Sequence, residues 1–184
     1  GLVDAYLYCD NQQAMKVVTE MADWTGNLMN KLTEEQRLKM LNCEYGGMQD
    51  VLVNIYAITG SKKYLDLSYK FDDDFVMGQL AKGIDPMAGK HSNTNVPKAI
   101  GAARRYELTN GASDHKIATF FWDIMAHHHS YVIGGNSNYE YLGEPDKLND
   151  RLSDNTCESC NSYNMLKLTR HLFAWEPDSK LFDF

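Results

Sequence analysis

The chain has 184 residues, 43% of them hydrophobic and 23% charged. That is the composition of an ordinary globular domain with a real core, and it excludes a disordered, fibrous or coiled-coil chain. No apolar run approaches the ~18 residues needed to cross a bilayer, and no secretory leader pattern opens the sequence. Acidic residues outnumber basic ones 25 to 18, for a net charge of −7; such a surface repels phosphate, so nucleic acid is not an expected partner. Cys9, Cys43, Cys157 and Cys160 are too few for a disulfide scaffold.

The chain enters at once on the apolar run Leu2–Tyr8. From Asn11, the residues Ala14, Val17, Val18, Met21, Trp24 and Leu28 fall three and four apart and predict one apolar stripe on a helix. Thr33-Glu34-Glu35-Gln36 has the form of a capping box before a short helix. Met48, Val51, Leu52, Ile55 and Ile58 mark the next helix, closed by Gly60. A short helix is expected over Tyr64–Phe75, then a pair over Val96–Tyr106 and Ser113–Met125, and a long one from Cys157 to Ala174 with Pro177 just beyond it. Ser130–Ile133 is the one candidate strand, and a further helix is expected to begin at Leu181–Phe184.

A weak repeat runs through this pattern. Tyr56-Ala57-Ile58-Thr59-Gly60 leads into Tyr64-Leu65, Tyr106-Glu107-Leu108-Thr109-Asn110-Gly111 plays the same part about 50 residues later, and Phe173–Asp178 before Leu181-Phe182 reads as a third copy. Helical hairpins in series predict an all-α fold, an α/α barrel or solenoid, spanning 1–184 as a single segment. Such a toroid is not completed by three pairs, and neither end reads as a polar terminus. The expectation is therefore an incomplete barrel, truncated at both ends, whose cut edges expose apolar helix faces and favour self-association.

Two loops, Gly83–Asn95 and Tyr131–Thr156, are long, polar and lead into helices; loops of that length in a compact domain are usually functional. Four stretches around them carry possible chemistry. Glu158 and Cys160, at a helix start, could hold a soft divalent metal, or serve only as a helix-start charge and a small core residue. His91, ahead of Asn93 and Thr94 as cap candidates and Pro97 in the first turn, either points into a pocket or sits in a polar surface loop. His127-His128-His129 cannot all face one site from a helix. Gly134-Gly135 permits a tight turn or close ligand approach, and Glu140 and Glu144 place carboxylates in the same loop, as acid catalysts or as solvated surface charge. Glu44 and Gln49, at the head of an apolar helix, suit a pocket floor.

These stretches together resemble the β-L-arabinofuranosidase family, glycoside hydrolase families 127 and 146. The matching runs are Cys43-Glu44-Tyr45-Gly46-Gly47-Met48, His91-Ser92-Asn93-Thr94 with Val96-Pro97-Lys98, Ser130-Tyr131 through Gly134-Gly135-Asn136-Ser137, and Glu158-Ser159-Cys160-Asn161-Ser162-Tyr163-Asn164-Met165-Leu166-Lys167-Leu168-Thr169-Arg170. The resemblance covers nearly the whole chain in order. It implies an (α/α)6 barrel, followed by β-sandwich domains, and a retaining exo-hydrolase of plant glycans that uses a zinc-bound cysteine thiolate as nucleophile.

By the same resemblance, Glu158 and Cys160 are zinc ligands, joined by two cysteines much further along, one of them the nucleophile. Cys9, Cys43 and Cys157 do not fit that role, so the segment by itself is expected to be inactive. The remainder of the same catalytic domain is then its expected partner, and carbohydrate its substrate. The general acid is Glu140 or Glu144; His91 with His128 or His129 would bind sugar hydroxyls, with Glu44 and Gln49 as weaker candidates. Other readings of the residues are another α/α-barrel sugar enzyme, of unsaturated glucuronyl hydrolase or epimerase type, and a non-catalytic binding module. Localisation stays open.

Overall fold

The structure is a computed structural model and describes residues 1–182. Its helices are α1 (Leu2–Cys9), α2 (Gln12–Met29), α3 (Glu34–Leu41), α4 (Met48–Thr59), α5 (Lys62–Tyr69), α6 (Met77–Lys82), α7 (Ser92–Thr109), α8 (Ala112–His128) and α9 (Ser159–Trp175), with 3-10 turns at Leu148–Arg151 and Ser179–Phe182. No strand forms among the described residues: Ser130 makes only an isolated bridge to Asn136. The apolar Val132 and Ile133 that suggested a strand are exposed at the tip of a turn. No described helix is long and apolar enough to cross a membrane. Asp183 and Phe184 of the expected last helix lie outside the described residues.

The repeat is real, and it starts earlier than the sequence pattern indicated. The α1–α2, α4–α5 and α7–α8 hairpins each turn through a single left-handed residue: Asp10 (φ 50°), Gly60 (φ 69°) and Asn110 (φ 55°). Glycine or a short polar residue tolerates that conformation best. In the second and third turns the bonding is the same. Thr59 Oγ1 donates to the Ile55 carbonyl and accepts from Ser61 N–H, and Thr109 Oγ1 donates to Arg105 and accepts from Gly111 N–H. The expected third copy at Phe173–Asp178 differs, because α9 ends at Glu176 in extended backbone (φ −142°).

The first helix of each hairpin packs on its counterpart in the next, α1 on α4 and α4 on α7, and α7 then packs on α9. This gives an arc of helical hairpins, the all-α barrel-type architecture that the repeat predicts. The α4–α7 crossing is so close that a Cβ on Gly101 would lie 2.5 Å from Gln49 Cβ.

Two apolar clusters fill the arc. One joins α1–α5 around Leu41, Leu52, Ile55 and Phe71; the other joins α6–α9 around Met77, Ile100, Phe121, Met125 and Met165. Phe75 touches both. Helix α2 corrects its predicted stripe. Ala14 and Val18 are buried, with Ala22 and Met29, while Val17, Met21, Trp24 and Leu28 lie on an adjoining face, with Met21 57% and Trp24 67% exposed. The helix carries apolar residues on two faces, and spacing alone merged them.

Local signals account for the helix ends. The Thr33 capping box forms, with Gln36 N–H donating to Thr33 Oγ1 at 3.2 Å and Thr33 N–H to Gln36 Oε1 at 2.9 Å. The single helix expected over Tyr64–Phe75 is instead α5, a turn, and α6. Asp73 intervenes, its Oδ1 accepting from Val76 and Met77 N–H at 2.6 and 3.2 Å as a cap for α6. Helix α7 begins at Ser92, capped by His91 rather than by Asn93 or Thr94, which puts Pro97 inside the helix.

Buried charge ties the hairpins together. Lys98 Nζ donates to Asp73 Oδ2 at 2.7 Å, with both residues about fully buried, and lies 4.4 Å from the Tyr45 ring centroid. Arg105 is fully buried and binds Asp72 at 2.8 Å and Asp114 at 2.7 Å, linking α7 to the α5–α6 turn and to α8. Burial pushes the Lys98 ammonium down and the Asp72 and Asp114 carboxyls up, against their partners' opposing charge.

Candidate active site

Both long loops sit at the same end of the arc and are zipped together. Gly89 N–H donates to the Leu142 carbonyl and Leu142 N–H to Lys90, both at 2.9 Å, and Ser92 N–H donates to Glu140 at 2.8 Å. The N-terminus of α7 lies here, and those of α4 and α9 adjoin it. Glu44, just ahead of α4, approaches His91, and Asn164 of α9 donates to Asn93 of α7 at 2.7 Å.

His91 is the hub. Its Nδ1 accepts from Thr94 N–H at 3.3 Å as the N-cap of α7. That bond occupies the Nδ1 lone pair, so the neutral ring carries its proton on Nε2. Nε2 faces Glu140 Oε2 at 3.1 Å and Glu44 Oε1 at 4.0 Å. Tyr141 stands edge-on to the ring at 5.3 Å between centroids. One imidazole N–H is thus bracketed by two half-open carboxylates.

The Glu140 loop is held in unusual backbone. Ser137 (φ 69°), Tyr139 (φ 48°), Glu140 (φ 71°) and, across from them, Cys157 (φ 70°) are left-handed non-glycine residues. Each costs of order 1–3 kcal/mol and persists only where surrounding contacts impose it. The turn before them needs its glycines. Gly134 has φ 80°, and a Cβ on Gly135 would lie 2.5 Å from Cys157 Cβ and 2.7 Å from its Sγ. The close approach made possible there is to Cys157 of the chain itself.

Beyond Glu140 opens a recess of about 490 Å³ lined by Tyr139, Glu140, Asp154, Asn155, Thr156, Cys157 and Glu158. Glu158 is the N-cap residue of α9 and Cys160 lies in its first turn. The Glu158 Oε2 atom is buried without a hydrogen-bond partner. Burial first, and then the adjacent Glu158 carboxylate, push the Cys160 thiol up to about 11. A buried carboxylate oxygen with no donor, beside a thiol that its charge disfavours from ionising, is a pair short of positive charge. A divalent cation would supply that charge, and a carboxylate with a thiolate is a donor pair of the kind zinc accepts. Glu158 and Cys160 provide two ligands of the four such a site takes, and no group of three or more His, Cys, Asp or Glu side chains assembles among the described residues.

The remaining candidates are dispersed. His127, His128 and His129 each take a different aspartate: Asp123 at 3.0 Å, Asp146 at 2.9 Å and Asp85 at 2.9 Å. His128 is half-buried, and its hydrogen bond to Asp146 raises it above its ordinary value. His129 is buried and ties α8 to the first long loop through Asp85. Glu144 is exposed and borders a separate hollow with His129, Tyr131 and Arg151. Gln49 is fully buried, its Nε2 donating to the Phe71 carbonyl at 2.8 Å. It lines neither the recess nor the hollow, contrary to the pocket floor expected of it, and its open Oε1 is buried as well. Tyr141, Asn136, Ser137 and Asn161 join the site without having been singled out as functional; the last three stood inside the matching motifs, whereas Tyr141 carried no signal.

The family profile of the β-L-arabinofuranosidase GH127 catalytic domain matches residues 1–184, and the chain belongs to that family. Among solved structures it is similar to a GH127 β-arabinofuranosidase, with 20% identity, a TM-score of 0.73, and coverage of 98% of this chain and 30% of that one. It is also similar to a GH127 β-L-arabinofuranosidase from Geobacillus stearothermophilus T6, at 18% identity, TM-score 0.72, covering 98% and 32% respectively. The chain therefore spans about a third of the length of these structures. No curated protein sequence matches it.

Proposed function

We propose that this chain forms part of the catalytic centre of a retaining glycoside hydrolase that releases terminal β-L-arabinofuranose from plant glycans. The observation that carries the reading is one recess with Glu140, bound to His91, on one side and Glu158, with a buried unpartnered oxygen beside Cys160, on the other. The family to which the chain belongs supports a β-L-arabinofuranoside as the substrate class.

In this reading Glu140 is the proton donor. Its carboxyl protonates the glycosidic oxygen as the bond to the anomeric carbon breaks, and in the second half of the reaction takes a proton from the incoming water. His91 Nε2–H holds one carboxyl oxygen, which fixes the direction of transfer, and Thr94 N–H fixes the histidine tautomer that makes this possible. Glu44, across His91, is placed to accept hydrogen bonds from sugar hydroxyls. Glu158 and Cys160 hold zinc, which when bound keeps a coordinated thiolate ionised at neutral pH. As the resemblance to the family implies, the nucleophilic thiolate comes from outside residues 1–184; within them Cys9 and Cys43 are exposed and Cys157 packs on Gly135.

The test is release of 4-nitrophenol from 4-nitrophenyl β-L-arabinofuranoside by the intact protein, alongside its Cys160→Ala form, with zinc measured by elemental analysis. Activity in the parent, and loss of both activity and zinc in the variant, are the expected results. A folded, zinc-loaded parent that leaves this substrate untouched overturns the assignment.

A further inference from the structure

The bonds around Ser137 have a use that the proton transfer alone does not explain. Ser137 is gripped from both sides of the Glu158–Cys160 pair: its carbonyl accepts from Cys157 N–H at 3.2 Å, and its Oγ accepts from Asn161 Nδ2 at 3.2 Å. The preceding residue is gripped from α7, with Ser92 Oγ donating to Asn136 Oδ1 at 2.9 Å. Ser92, Asn136, Ser137 and Asn161 are all buried. Ser92 N–H then holds the Glu140 carbonyl at 2.8 Å. The short stretch from Asn136 to Glu140 is thus stitched to α7 at both ends and to α9 through Ser137, with left-handed backbone at Ser137, Tyr139 and Glu140.

The stitching is incomplete. Asn136 Nδ2 and Asn161 Oδ1 remain buried without partners, a spare donor and a spare acceptor. A half-satisfied buried amide pair destabilises a fold relative to apolar residues of the same shape. Its presence points to geometry rather than stability as what these residues supply.

We infer that Asn161 is a positioning residue: acting through Ser137, it sets where the Glu140 carboxyl stands relative to the Glu158–Cys160 pair. This rests on the reading of Glu140 as proton donor. Asn161 directly follows Cys160 in the first turn of α9, so the helix that carries the metal pair also carries the hold on the acid loop. A misplacement of about 1 Å at a reacting group is enough to lower the rate up to about 100-fold.

Leaving groups separate positioning of an acid from a general structural role. A poor leaving group such as methoxide needs protonation as it departs, whereas 2,4-dinitrophenolate does not. The intact protein is assayed on methyl and 2,4-dinitrophenyl β-L-arabinofuranosides as wild type, Asn161→Ala and Glu140→Gln. Zinc content is measured for each. Glu140→Gln is expected to lose about 100-fold or more on the methyl glycoside and far less on the dinitrophenyl one. Asn161→Ala is expected to follow the same pattern at about 10-fold on the methyl glycoside, with KM and zinc content unchanged.

Equal losses on both substrates in Asn161→Ala, or no loss, beside a leaving-group-dependent Glu140→Gln, overturn the positioning role and leave the acid standing. A Glu140→Gln form equally impaired on both substrates overturns the acid assignment, and the inference with it. Should Asn161→Ala not fold, Ser137→Ala removes the same hydrogen bond from the other partner and must give the same substrate pattern. Asn161→Asp keeps an isosteric bond, the Ser137 hydroxyl now donating, and is expected to recover part of the methyl glycoside rate.

Discussion

Where α7 meets the α5–α6 turn and α8, the buried charges are answered in full: Lys98 by Asp73, and Arg105 by Asp72 and Asp114. In the loop between α8 and α9 and the first turn of α9, buried polar atoms are left over, on Asn136, Arg151, Glu158 and Asn161, and the loop backbone is held in left-handed conformations. Both regions exclude water from polar groups, which is expensive unless those groups are paired. The first pairs its buried charges inside the fold and leaves the neutral Gln49 Oε1 open beside them. The second keeps several polar atoms open, a carboxylate oxygen among them, beside a recess, and that surplus of unpaired charge distinguishes a site from a scaffold.

The largest expected effect tests the scaffold half. Lys98→Ala strands the Asp73 carboxylate, which also receives the Tyr45 hydroxyl at 2.7 Å and caps α6. Breaking a buried pair from one side costs about 3–5 kcal/mol, read as a fall in the urea midpoint. A loss under about 1 kcal/mol would be the size of an exposed ion pair and would erase the contrast between the two regions.

Two glycines sharpen it next. A Cβ at Gly101 and one at Gly135 would each meet a neighbouring Cβ at 2.5 Å, the first at the α4–α7 crossing and the second against Cys157. Overpacking of this kind costs about 1–3 kcal/mol. Gly101→Ala is expected to lower the melting temperature and leave zinc content alone. Gly135→Ala acts on the loop that must close over Cys157, so zinc content and activity should fall before stability does. Equal behaviour of the two variants in melting and metal analysis would mean that the loop is part of the scaffold after all.

Much of the scaffold was legible because its signals are local. The Thr33 capping box, the left-handed Gly60, and apolar spacing over α4, α7 and α8 are written within a few residues of where they act. The first hairpin turn was harder to read, because Asp10 stands where the later turns have Gly60 and Asn110, and only the backbone angle reveals the equivalence. The α2 stripe misled for the opposite reason: spacing shows that Val17, Met21, Trp24 and Leu28 share a face, but not whether anything packs against it.

The site was legible as a set of motifs and illegible as a geometry. His91, Glu140, Glu44 and the Glu158–Cys160 pair come from four separate stretches, and no local rule says that one imidazole N–H faces two of those carboxylates. The three adjacent histidines finding three different aspartates is likewise a long-range result; only Asp123, one helical turn before His127, was within local reach.

A smaller effect separates exposed from buried charge in acid. Burial opposes ionisation of Glu107, but hydrogen bonds from His171, Arg104 and Trp175 outweigh it and hold its carboxyl below the ordinary 4.5. A carboxylate lowered in the folded state contributes stability that is present above 4.5 and lost as pH falls through its folded value. Glu107→Gln is therefore expected to be less stable than the parent at neutral pH and to converge with it in acid, seen as melting curves that close up below 4.5. A constant gap at all pH values would show that the side chain acts by packing alone.

The smallest effect belongs to His128, whose half-exposed ring meets Asp146 at 2.9 Å. The hydrogen bond to Asp146 raises the imidazole above its ordinary 6.5. For a base raised in the folded state, the stabilisation is present below 6.5 and disappears as pH rises through the folded value, the reverse of Glu107. Exposure and salt screening keep this contribution to stability slight, so the measurement is the imidazole proton shift in an NMR titration. Asp146→Asn should return the midpoint of His128 towards 6.5 and leave the resonances of His129, bound to Asp85, where they were. If His129 moves as well, the two contacts are coupled through the end of α8, and the His128–Asp146 pair is part of the buried framework that anchors the loop.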